Sequence, residues 1–93
     1  MFCDVTVLVE HQRYPAHKCV LAANSNYFKN LLVNDNDGVF LRHVSAESFS
    51  AILEYMYTSR LELDSSTLQD VLTAAKFLQV KGAISICCRL ALV

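Results

Sequence analysis

The sequence predicts an α+β fold, a small sheet of about three strands flanked by about five helices in one domain. Three observations carry that expectation. The stretch DVTVLVE (4–10) alternates in part and is rich in β-branched residues, as a half-buried strand is. Several later segments repeat apolar residues at spacings of three and four, the signature of amphipathic helices. The order of elements lacks the regular strand–helix–strand alternation of a parallel α/β sheet, so helices should segregate around the sheet. Gly and Pro number only two and one, which leaves most of the chain in regular structure with short connections.

After the first strand, HQRYPAH (11–17) reads as a turn and a short second strand, with Pro15 tolerable at a strand end or edge. A helix runs from His17 to about Asn24. Ser25 is a plausible N-cap for a second helix that carries Tyr27, Phe28, Leu31 and Leu32. NDNDG (34–38) is dense in turn formers, and VFLR (39–42) reads as a third strand. Ser45 caps a strong helix with Glu47 in its first turn, where a carboxylate suits the helix dipole. Phe49, Ile52, Leu53 and Met56 form its core face. LEL (61–63) is at best a short strand. Ser66-x-x-Gln69 has the pattern of a capping box for the next helix, which carries Leu68, Val71, Leu72, Ala75 and Leu78. Gly82 marks a break or a first-turn position before a final helix, AISICCRLAL.

The composition narrows the function. The chain is 54% hydrophobic and 18% charged, against about 25% charged in ordinary globular chains. A domain of 93 residues cannot hide so much apolar surface. Leftover patches of that kind mark partner sites, which favours an oligomer or an interaction module. With a net charge of −1 there is no overall basic field to draw nucleic acid, so direct DNA binding is not expected. No run approaches the ~20 apolar residues of a membrane-spanning helix. Cys3, Cys19, Cys87 and Cys88 follow no metal-binding spacing and read as reduced structural thiols. His11 and His43 read as turn and surface residues, so neither metal nor cofactor is expected. His17 with Cys19 lacks a third orienting group and an oxyanion-type loop, and catalysis is not expected.

Four segments, FCDVTVLVE, RYPAHKCVLAANSNYFKNLL, FSAILEYMYTSRLEL and DVLTAAKFLQVKGAISIC, together resemble the BTB/POZ domain. The likeness runs from Phe2 to about Leu92 and is greatest to the branch found in zinc-finger transcription factors. It implies the BTB/POZ fold and a nuclear module that homodimerises and recruits corepressors, with pairing to related BTB domains left open, while separate zinc fingers read DNA. Residues 1–93 would then be a single domain excised from a longer zinc-finger protein. That branch places a helix, and often a swapped strand, before the C-D-V-T strand. The sequence starts at Met1 with no room for either, so either the chain is trimmed, which is the expectation, or the partner surface is built differently.

The resemblance also implies site residues. Asp4 and Lys18 match acidic and basic positions that form a charged pocket at the dimer interface. Two such charges are acceptable in an apolar interface only if they meet, since truncating one partner of a buried pair costs about 3–5 kcal/mol. A half-exposed pair would contribute at most about 1 kcal/mol. His17, Val20, Leu21, Asn24 and Tyr27 are expected on the dimer or partner surface, with Val20 and Leu21 equally readable as core. His17 reads first as a structural hydrogen-bonding residue at the strand-to-helix junction, with the border of the lateral groove as the other reading. Asn26 and Lys29 stand where a lateral groove for corepressor would run, and are otherwise ordinary capping and solvated residues. Two other functions stay open. A substrate adaptor of a cullin-RING ubiquitin ligase would carry an apolar-x-Glu motif, for which Val33-Asn34-Asp35 is a near miss. The other is a purely architectural oligomerisation domain.

Overall fold

In the computed structural model, residues 4–32, 38–42, 44–61 and 63–91 are described. β1 (Val5–Val9) is the middle strand of a three-stranded sheet of order β2-β1-β3. It pairs antiparallel with β2 (Gln12–Ala16) and parallel with β3 (Gly38–Leu41). Its alternation sends Val5, Val7 and Val9 into the core, with Ala16, Val39 and Leu41 from the flanking strands. The two-residue turn between β1 and β2 puts Glu10 at φ 56°, as tight hairpins of this length require. That turn aims the Glu10 carboxylate across the fold, where it accepts the Ala46 N–H at 2.6 Å. Read in the sequence as the end of a strand, Glu10 thus satisfies an orphan donor at the start of α3 (Ala46–Thr58).

Helices α1 (Lys18–Asn24) and α2 (Asn26–Leu31) bridge the edge strands. Both are far below the length at which isolated helices hold in water, so tertiary contacts must fix them. Ser25 is the joint between them. Its hydroxyl accepts the Phe28 N–H at 3.1 Å and donates to the Leu78 carbonyl, inside the core. α3 follows expectation: Ser45 accepts the Ser48 N–H at 3.2 Å, and Phe49, Ile52 and Met56 are buried. Rings interlock through the centre, with Phe49 edge-on to Tyr14 at 5.1 Å and to Phe28 at 6.3 Å. α4 (Leu68–Leu78) buries Val71, Ala74, Ala75 and Leu78, and α5 (Lys81–Ala91) buries Ala83 and Cys87. Gly82 lies in the first turn of α5, where a β-carbon would overlap the Tyr55 hydroxyl. Cys19, Cys87 and Cys88 are free thiols, and burial pushes that of Cys87 up, with Cys88 adding to the rise.

Two local expectations need correction. The capping box Ser66-x-x-Gln69 does not form. Instead Asp64 accepts the N–H groups of Ser66 and Thr67 at 3.0 and 2.9 Å, together with both hydroxyls. A carboxylate beats a serine here because one oxygen serves two main-chain donors and gains from the helix dipole. Leu61 and Leu63 lie outside regular structure, and Glu62 falls outside the described residues, as do Cys3, the turn at 34–37 and His43.

The Ser66 hydroxyl, followed by the other bonds of that turn, holds the Asp64 carboxyl below the ordinary aspartate value. A carboxyl lowered in the folded state adds stability above its unfolded value, and this is lost as pH falls through the folded one. Asp64→Asn keeps an acceptor but removes the charge. Its unfolding midpoint should therefore fall less steeply than that of the parent as pH drops through the acid range. Parallel curves in urea titrations at several acid pH values would show that the charge carries none of this.

Candidate partner-binding surface

Asp4 precedes β1, held by its own N–H on the Ala16 carbonyl at 3.1 Å. From there its carboxylate accepts the main-chain N–H of Lys18 at 2.7 Å. The N-cap residue of α1, His17, makes no side-chain cap bond. Asp4 therefore supplies the cap from another element, and its negative charge meets the positive end of the helix. The contact that joins Asp4 to Lys18 thus runs to the Lys18 main chain.

His17 is anchored elsewhere. The Tyr57 hydroxyl accepts the His17 N–H at 3.0 Å and stands 2.8 Å from Nδ1. A hydroxyl can accept one hydrogen bond from the main chain and make a second to a ring nitrogen, its direction there following the tautomer of the imidazole. Nε2 is buried and has no hydrogen-bond partner among the described residues. The two rings also meet edge-on at 5.9 Å. The junction from β2 to α1 is thus fastened by Asp4 at Lys18, the first helical residue, and by Tyr57 at His17 just before it.

The remaining candidates divide. Leu21 is a correction: at 0% exposure it belongs wholly to the core and offers no partner surface. It points inward because α1 is amphipathic, and Val20, one residue away, is left half-buried. Tyr27 is also half-buried, its ring 5.0 Å from Phe77 and 5.7 Å from Phe28. Asn24 donates to the Val20 carbonyl at 2.9 Å, and the Asn26 N–H reaches the Gln79 carbonyl at 3.4 Å. Both asparagines line a cleft of about 310 Å³ with Ala23, Tyr55 and residues 79–82. Lys29 is exposed in the last turn of α2, where a cation suits the dipole, and does not line that cleft.

Sequence reasoning missed Tyr57 and the Gln79–Gly82 wall. Gly82, a glycine in a helical pattern, was the one signal pointing to a close approach there. Another cavity, of about 410 Å³, opens between the first turns of α3 and α4, beside Glu47, Asp64 and Asp70. These carboxylates stand where helix dipoles favour them. Among the described residues no group of His, Cys, Asp and Glu could hold a metal ion. No helix is long and apolar enough to cross a membrane.

The chain is 44% identical over 92 residues to zinc finger and BTB domain-containing protein 7A of Gallus gallus, a match over 94% of this chain. It is 34% identical over 93 residues to Kelch-like protein 15 of Danio rerio, covering 95% of this chain. The chain spans only 17% and 15% of these two relatives. The solved BTB domain of zebrafish PATZ1 superposes with a TM-score of 0.89 at 35% identity, covering 96% of this chain and 75% of that one. A family model described as the BTB/POZ domain matches residues 1–92. The chain belongs to the BTB/POZ family and is a protein–protein interaction module.

Proposed function

We propose that this module homodimerises and recruits corepressor as the interaction end of a longer, nuclear zinc-finger regulator. The observation that carries the reading is the way α1 is held. Two separate parts of the chain fasten its start, through Asp4 and Tyr57, while Val20, Asn24 and Tyr27 stay half-exposed along α1 and α2. Rigid presentation of a half-apolar face is what an obligate interface needs, because little ordering is left to oppose association. The cleft beside Asn24 and Asn26 offers a partner segment both apolar wall and amide groups. Similarity to a relative named for zinc fingers and BTB supports the regulator context.

The adaptor reading draws on the similarity to Kelch-like protein 15, and its near-miss motif at Val33-Asn34-Asp35 lies outside the described residues. Binding of a cullin N-terminal domain at tens of micromolar would favour it.

Sedimentation or light scattering over roughly 1–100 µM should find a dimer. If the two side-chain charges act as one pocket, Asp4→Asn and Lys18→Gln should each weaken that dimer, and together little more than the stronger change alone. Additive effects both below about 0.5 kcal/mol would remove the charged pocket from the interface. A monomer throughout the range would count against homodimerisation by this chain.

A further inference from the structure

The sheet has a second face that no part of the proposed function uses. Opposite the core side, β1 turns out Thr6 and Leu8, both half-buried. In register, Leu8 stands between Phe40 on β3 and Arg13 on β2, so the three side chains share that face. Phe40 is 55% exposed, and the Arg42 guanidinium lies 5.5 Å from its ring centroid. Among the described residues neither Arg13 nor Arg42 forms an ion pair. Glu10, the carboxylate of this hairpin, is committed to the N-terminus of α3. A chain with net charge −1 therefore carries a local patch in which an apolar pair is flanked by two guanidinium groups that no carboxylate among the described residues pairs.

We propose that this outer sheet face docks an acidic segment of a partner protein, which sets an apolar side chain on Leu8 and Phe40 and carboxylates on Arg13 and Arg42. Aromatic and arginine side chains are the usual anchors of such contacts. A guanidinium already resting on a ring is ordered before binding and presents its fork to a carboxylate. A second copy of this chain fits less well, since a two-fold contact through this face brings the arginines of one copy against those of the other. The surface is separate from Asp4 and Lys18, so its test is independent of the dimer and corepressor reading.

The test uses two peptide arrays, one of twelve-residue peptides interleaving Glu and Asp with Leu, Phe and Tyr, the other with Lys and Arg in place of the acids. The chain should bind the acidic array and not the basic one. Phe40→Ser and the charge reversals Arg13→Glu and Arg42→Glu should each weaken binding by about tenfold, whereas Asp4→Asn should leave it unchanged. All three altered residues lie on the outer face, and an unchanged circular dichroism spectrum and unfolding midpoint would confirm that the fold is kept. Absence of binding to the acidic array, equal binding to both arrays, or binding indifferent to these substitutions would overturn the proposal. So would a fall in solution mass for Phe40→Ser, which would make the occupant a second copy.

Discussion

Phe28→Ala lowers the unfolding free energy by about 3–5 kcal/mol, the range for truncating a buried aromatic residue. Phe28 is the only buried residue of α2, a six-residue helix. Its ring contacts those of Tyr27 and Phe49, so one substitution removes both the volume and the link to α3. A helix this short does not form without tertiary support, so amide exchange in α2 should accelerate beyond the global change. The measurement is urea unfolding followed by hydrogen exchange. A loss below about 1 kcal/mol would mean that α2 is held by something other than Phe28.

Ser25→Ala has the second largest effect, a loss of about 2–3 kcal/mol. Ser25 is 1% exposed, and its hydroxyl serves the Phe28 N–H and the Leu78 carbonyl together. Alanine leaves both groups inside the core without that partner, and water cannot replace it there without opening the joint. The cost is therefore that of two unsatisfied groups, and not merely the small net worth of a surface cap. Because the Ser25 hydroxyl and the Phe28 ring hold the same short helix, the double variant Ser25→Ala/Phe28→Ala should lose less than the sum of the singles. Full additivity in denaturant titrations would show that the cap and the ring act separately.

Both predictions bear on function, since α2 carries Tyr27 and borders the cleft at Asn26. Binding to that surface should fall with the loss of α2 even under conditions where the rest of the chain stays folded.

Most of the fold was legible in the chain because local chemistry repeats in it. Strand β1 announced itself by Val5, Val7 and Val9, whose period of two is what a sheet with one buried face demands. The inward stripe of α3 and the caps at Ser25 and Ser45 follow from spacing and side-chain chemistry within four residues. The resemblance carried the positions of Asp4 and Lys18, and the structure brings the two into contact.

Other features had no local signal. Leu21 and Val20 are both apolar in an apolar helix, and only the packing of α1 decides that one is core and the other surface. Asp64 and Ser66 both suit a helix start, and the path of the chain chose the carboxylate. His17 and Tyr57 lie forty residues apart, as do the hairpin and the helix that Glu10 joins to nearly the same degree. Sequence alone thus determined which residues are helical, extended and apolar, because those properties depend on neighbours within a turn or two. Tertiary structure alone decided which long-range polar groups meet, because a hydrogen bond requires its atoms within about 3 Å, and no pattern of residue types specifies that distance.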